Sequence, residues 1–343
     1  MRANGVAVRV VGTMTWGNHT PAHEARRIFD RSLEAGCCAF DCAEIYPFPS
    51  TREGYGESER ILGDCIQGIP RDSLSVMTKV AGPGHVGVPG PPPMDWLPSY
   101  NERQTLNGLR EAVENSLRRL RCDYIDLLFL HWPARQAPRF GTLGISSLTD
   151  FTCDDEIMLK NLCALIDEGK IKSFGLSNET AWGVMRYLLL ADRWDMPRPA
   201  AVQNPYNLLN RTAEIDLAEM MLREQIDFYA YSPLAMGLLS GKYLGDVPAD
   251  SRFARIGFPG RYSSSLITSA VRAYNHIALS YGSTLAQIAL GFIAQSRFCT
   301  APILGATTLQ QFEANLEALA TDLPAEVLTA IDDLHSQIPN PAP

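Results

Sequence analysis

Four residues give this sequence its most specific chemical content. Asp41, Lys79 and His131 each stand at the end of a short apolar run that reads as a β-strand, and Tyr46 follows Asp41 by five residues. If the strand ends converge, a carboxylate, an ammonium, a phenol and an imidazole surround one cavity, a set suited to giving a proton to a carbonyl oxygen. A free phenol, with a pKa of about 10, donates poorly near neutrality. A nearby positive charge lowers that value and makes Tyr46 a usable general acid, with Lys79 as its source. Asp41 would keep Lys79 charged and fixed in a buried ion pair, and His131 would hydrogen-bond and orient the substrate oxygen. Taken singly, each has a plainer explanation: Asp41 capping a turn, Lys79 reaching solvent, Tyr46 packing, His131 a satisfied core histidine. Their joint placement at strand ends is what favours a site.

Convergence is what the rest of the chain predicts. A short apolar run, a turn and an apolar stripe at helical spacing recur along it, the signature of βαβ units. Thr20 and Pro21 read as an N-cap and first helical residue, Ala25, Ile28, Phe29 and Leu33 share a face, and Gly36 supplies the stop. Strands are expected at 39–41, 74–80, 125–130, 171–177, 200–204, 226–232 and 302–307. Helices are expected over 106–120 (the Leu106, Leu109, Val113, Leu117, Leu120 stripe), 156–168, 181–191 and 215–225. Ile125–Leu130 is apolar except for Asp126, as a parallel strand buried on both faces should be. With a first strand that only a few residues precede there are eight strands separated by helices, and a closed (β/α)₈ TIM barrel fits that alternation better than a doubly wound sheet. Three long Gly- and Pro-bearing stretches, 81–100, 133–152 and 240–265, follow carboxyl ends of strands and belong at the barrel mouth, so one domain over 1–343 is expected.

Composition narrows the class. At 343 residues, 46% hydrophobic and 20% charged, the chain has the make-up of an ordinary globular protein. A net charge of -8 with no basic run argues against nucleic-acid binding. No apolar stretch reaches the length of a membrane span and residues 1–12 lack a signal-peptide pattern, which predicts a cytoplasmic protein without membrane partners. The eight cysteines are scattered and include the adjacent Cys37 and Cys38, so reduced thiols are expected. A redox role beside Asp41, at Cys42, would need a lowered pKa and exposure. No paired-cysteine spacing or histidine cluster predicts a metal. A glycine-rich dinucleotide fingerprint after the first strand is missing as well, which excludes a Rossmann-type site.

The segments around the four residues resemble the aldo/keto reductase family in order: Gly12-Thr13-Met14-Thr15-Trp16-Gly17, Phe40-Asp41-Cys42-Ala43-Glu44-Ile45-Tyr46, Thr78-Lys79 and His131-Trp132-Pro133. Gly169-Lys170-Ile171, Gly175-Leu176-Ser177-Asn178, Gln203-Asn204, Tyr231-Ser232-Pro233-Leu234, Gly241-Lys242-Tyr243 and Leu304-Gly305-Ala306-Thr307 extend the resemblance from about residue 10 to the C-terminus. Asn178-Glu179-Thr180-Ala181, the 183–188 segment and the closing Pro341-Ala342-Pro343 look most like its Tas-type branch. The resemblance implies NADPH-dependent reduction of an aldehyde or ketone, with Asp41, Tyr46, Lys79 and His131 as the catalytic tetrad and Tyr46 as proton donor.

It also implies where NADP(H) lies. Ser177, Asn178 and Gln203 would hold the nicotinamide carboxamide and Tyr231 would stack on its ring. Ser232, Leu234, Gly237, Ser240 and Lys242 would contact or cover the pyrophosphate. Arg252 and Thr307 would take the 2′-phosphate, with Gly305 in the same motif and Gln311 and Asn315 near the adenine. Without the resemblance, Gln203 reads as a strand-end residue, Lys242 as a solvated charge, and Gln311 with Asn315 as an exposed helix pair. Trp16, Tyr46, Trp96 and Trp132 suggest an aromatic-walled substrate pocket. The few residues before the first strand are shorter than the hairpin that usually plugs the barrel bottom in this family. Two other readings compete: a nucleotide-sensing partner subunit, since potassium-channel β subunits share this fold and cofactor site, and a metal-dependent barrel hydrolase recruiting His131 and Asp41.

Overall fold

A computed structural model describes residues 9–82, 97, 100–135, 137, 154–257 and 260–343. Eight parallel strands close in sequence order into a barrel: β1 (Val10–Gly12), β2 (Ala39–Asp41), β3 (Ser75–Val80), β4 (Ile125–Leu130), β5 (Ile171–Ser177), β6 (Ala201–Pro205), β7 (Asp227–Tyr231) and β8 (Ala301–Gly305). The helices are α1 (Ala22–Glu34), α2 (Glu57–Cys65), α3 (Tyr100–Gln104), α4 (Leu106–Leu120), α5 (Asp155–Asp167), α6 (Ala181–Trp194), α7 (Leu217–Glu224), α8 (Arg252–Ile256), α9 (Ser265–Ser280), α10 (Leu285–Ala294), α11 (Leu309–Leu319) and α12 (Ala325–Gln337). The fold is therefore the (β/α)₈ barrel expected from the alternation of patterns.

Strand periodicity explains both the core and the site. Val10, Ala39, Met77, Phe129, Ala201, Ala301 and Ile303 pack together inside the barrel, while a much larger apolar layer lies between strands and helices. Side chains alternate across a strand. Two residues beyond these interior positions come Gly12, Asp41, Lys79, His131, Gln203 and Gly305, all therefore on the inward face at the carboxyl end. Ser177 joins them by pairing with Gln203, and Tyr231 by lying two beyond the interior Tyr229. Gly12 must be small there, because a Cβ would come within 2.8 Å of Ile303 Cγ2. Asp126, the odd polar residue of β4, is half-buried on the outer side and accepts from Arg71 Nη2 (2.6 Å), Val76 N (2.9 Å) and Lys172 Nζ (2.9 Å).

Boundaries moved in places. Thr20 does not cap α1: Pro21 occupies the cap position, and the Thr20 hydroxyl pairs with Thr15 Oγ1 at 2.9 Å. β8 ends at Gly305, so Ala306 and Thr307 lie beyond it on the approach to α11, whose N-cap Thr308 accepts from Gln311 N. The segment after β7 is not plain loop, since it contains α8 capped by Ser251. Most of the other two mouth segments, together with Trp96 and the short amino-terminal stretch, lies outside the described residues. Among the described residues no single helix is long and apolar enough to cross a membrane.

Candidate active site

One cavity of about 1090 Å³ opens at the carboxyl ends of the strands. That is about the upper end of small-molecule sites, which run to roughly 1,000 Å³. Asp41, Tyr46 and His131 line it, and Lys79 lies fully buried behind them. Lys79 Nζ donates to Asp41 Oδ2 (2.6 Å), Asp41 Oδ1 (2.7 Å) and the Cys42 carbonyl (2.6 Å), which accounts for all three ammonium protons. The same ammonium sits 5.0 Å from the centroid of the Tyr46 ring, and the His131 ring meets that ring edge-on at 5.8 Å. The structure thus brings together the four residues that the strand ends predict.

Electrostatics departs from the expectation in one respect. Burial, assisted by the Asp41 carboxylate, holds the Tyr46 phenol well above its ordinary value instead of below it. Burial disfavours the phenolate, and the Asp41 carboxylate, itself 2.6 Å from Lys79 Nζ, adds its negative charge in the same direction. Tyr46 is therefore a firmly protonated donor in this state, with its proton stored beside the cavity. His131 is moved the other way: burial, then the Lys79 charge, pushes its imidazole well below 6.5, and its Nδ1 is buried with no partner among the described residues. A neutral imidazole is the consequence.

That has a measurable cost. Below pH 6.5 the unfolded chain protonates this histidine while the folded chain does not, so folding stability is present above that pH and is lost as pH falls. Urea unfolding of His131→Gln is expected to show a shallower loss between pH 7 and pH 5 than the parent protein. Equal slopes would show that His131 does not contribute.

The loop that carries Tyr46 is pinned by a residue to which the sequence reading assigned no role. Glu44 is fully buried, and its carboxylate accepts from Ala81 N (2.6 Å), Arg103 Nη1 (2.7 Å), Arg103 Nη2 (3.1 Å) and Tyr55 OH (2.5 Å). One carboxylate so ties the β2 loop to the end of β3 and to α3. Removing one member of a buried pair strands the other charge, at about 3–5 kcal/mol. Arg103→Met is expected to lose stability of that order in urea unfolding, and a change under about 1 kcal/mol would show that Glu44 is held by its other donors.

The residues expected at the cofactor all line the same cavity. Asn178 and Ser232, directly after the inward Ser177 and Tyr231, adopt left-handed backbone at φ 55° and 51°. Such strain persists only where surrounding bonds hold it. For Asn178 those are its N–H to the Gln203 carbonyl (3.0 Å), Nδ2 to the His131 carbonyl (2.8 Å), and Oδ1 accepting from Tyr231 OH (2.6 Å). Ser177 Oγ donates to the Gln203 carbonyl at 2.9 Å. Gln203 Nε2 donates to Asp41 Oδ1 at 2.8 Å, so the amide expected at the carboxamide also braces the ion pair. At the far side, Lys242 and Arg252 line the cavity with Thr307, whose Oγ1 donates to Gln311 Oε1 at 2.9 Å, and Asn315 donates to the Gly305 carbonyl at 3.2 Å.

Sequence reasoning missed His19, Arg255 and Arg261, which line the cavity too. Arg255 had a signal, the i,i+3 spacing from Arg252, but only if 252–256 is recognised as a helix. Trp16, expected in the pocket wall, is instead fully buried between barrel and helices; Trp132 does line the cavity, with Met14, Ile45 and Phe48. All seven described cysteines are free, and burial pushes the Cys42 thiol up to about 12, the reverse of what a redox switch requires. Among the described residues no group of three or more His, Cys, Asp or Glu is placed to hold a metal ion.

A parallel barrel whose inward strand-end residues gather a buried lysine–carboxylate pair, a phenol and an imidazole beside amides and unpaired cations has the make-up of a nicotinamide-dependent oxidoreductase. Residues 10–336 match the Aldo/keto reductase family, and the chain belongs to it. Protein tas of Escherichia coli (strain K12) is 40% identical over 97% of this chain and 95% of its own length. A probable voltage-gated potassium channel subunit beta of Oryza sativa subsp. japonica is 29% identical, covering 89% and 85%. L-glyceraldehyde 3-phosphate reductase of Escherichia coli (strain K12) is 27% identical, covering 92% and 85%.

Proposed function

We propose that this oxidoreductase reduces an aldehyde or ketone to an alcohol with NADPH, using Tyr46, Lys79, Asp41 and His131. The observation that carries the reading is the buried Lys79–Asp41 pair lying under the Tyr46 ring at the wall of the cavity. The chain's groups fit the dinucleotide: amides and hydroxyls with an aromatic ring stand at one end of the cavity. At the other, Lys242 and Arg252 have no ion-pair partner among the described residues. When bound, the nicotinamide supplies a hydride.

The chain's own residues do the rest. Tyr46 holds a proton beside the carbonyl oxygen and gives it up as negative charge grows there. Lys79, locked by Asp41 and the Cys42 carbonyl, keeps a positive charge under the ring so that the developing phenolate is not isolated in a buried site. His131, neutral and 5.8 Å from that ring, offers a hydrogen bond that fixes the oxygen in line with the phenol. Ser177, Asn178 and Gln203 orient the carboxamide, and Tyr231 packs on the ring. Met14, Ile45, Phe48 and Trp132 make an apolar wall, which favours small carbonyl compounds with hydrophobic substituents.

A panel of aldehydes and ketones run with NADPH and with NADH, following nicotinamide absorbance, tests this directly. Oxidation of NADPH that depends on the carbonyl is expected. Tight NADPH binding with no turnover across a broad panel would instead identify a nucleotide-sensing protein.

A further inference from the structure

Most described arginines lie on a carboxylate, as Arg71, Arg103, Arg119 and Arg211 do. In one half of the cavity this fails. Lys242, Arg252 and Arg255 make no ion pair among the described residues, and Asp250, which lines the same half, pairs with none of them. Three uncompensated cations facing one space, in a chain of net charge -8, mark a place for an anion of more than one charge.

Arg255 is aimed by a contact of its own. Its Nη1 donates to His19 Nδ1 at 3.4 Å, and a guanidinium can only donate, so Nδ1 is the bare nitrogen of a neutral ring. His19 belongs to the loop after β1. In that loop the hydroxyls of Thr15 and Thr20 each reach the Ala306 carbonyl at 3.4 Å. The loop therefore leans on the segment that bears Thr307. Through His19, Arg255 on the segment after β7 meets the loop that borders the β8 side of the cavity. Arg252, one helical turn earlier on α8, also acts on His19 through its charge.

We propose that Arg255, held by His19, is a second guanidinium contact for the dinucleotide's 2′-phosphate, acting with Arg252 and thereby setting preference for NADPH over NADH. This rests on the NADP(H) reading above. A phosphate monoester dianion offers three oxygens; one guanidinium fork engages two, and a second cation can take the remainder. His19 is a positioning residue here, fixing the guanidinium and not touching the phosphate.

Titration of intrinsic fluorescence with NADPH, NADH, adenosine 2′,5′-bisphosphate and ADP tests the proposal. Arg255 is exposed, so Arg255→Leu should fold normally. It is expected to raise the Kd of the two ligands bearing the 2′-phosphate by about tenfold and to leave NADH and ADP within about twofold. His19→Leu should give a smaller change of the same selectivity, and Arg255→Lys should restore part of the loss. Unchanged NADPH affinity in Arg255→Leu, or equal loss for all four ligands, overturns the proposal while leaving the reductase reading in place. A parent protein that binds neither dinucleotide overturns both.

Discussion

Tyr46→Phe is expected to bind NADPH as the parent does and to reduce carbonyls about 10²–10⁴-fold more slowly, the range over which a positioned general acid contributes. The substitution removes one hydroxyl and keeps the ring, so the Lys79 contact at 5.0 Å and the His131 contact at 5.8 Å stay available. Both kcat and kcat/KM should fall together, because the proton is given only as the transition state forms. Fluorescence titration separates binding from turnover. A variant that reduces carbonyls at the parent rate would remove Tyr46 from the mechanism and with it the argument built on Lys79.

Lys79→Met is expected to damage activity and stability at once. The ammonium makes three bonds of 2.6–2.7 Å in a site with no exposure. Its loss leaves the Asp41 carboxylate buried with the Gln203 amide as its remaining donor among the described residues, at a cost of about 3–5 kcal/mol. The companion test is Lys79→Met with Asp41→Asn, which removes both charges. That pair should regain much of the stability in urea unfolding, since no uncompensated ion remains, yet stay catalytically poor because the positive charge beneath Tyr46 is still missing. Recovery of turnover along with stability would mean that the ion pair serves folding alone.

Comparison with named relatives places the chain in a family without assigning a substrate. One relative is named for a phosphorylated aldehyde and another for a channel subunit, at 27% and 29% identity. Distinctions at that level come from cavity walls and rims. Here Met14, Ile45, Phe48 and Trp132 give the described wall near Tyr46 an apolar part, whereas Lys242, Arg252 and Arg255 on the segment after β7 line the cavity with no ion-pair partner among the described residues.

Much of this was legible in the chain itself. Runs such as Ile125–Leu130 and Ile171–Ser177 were readable because a strand buried on both faces must be apolar, and chain order alone put Asp41, Lys79 and His131 at strand ends. Local order also fixed the motif that holds Tyr46 five residues from Asp41. Other features were decided only in three dimensions. Which residue of each strand end faces inward depends on barrel register, as Gln203 shows by reaching Asp41 across 162 positions. The fate of Trp16, the Glu44–Arg103 bond and the meeting of His19 with Arg255 depend on distant loops coming together. The direction of the Tyr46 pKa was equally hidden, because a sequence does not say how deeply a phenol is buried or how near a carboxylate lies, and burial, then the Asp41 charge, is what holds it up.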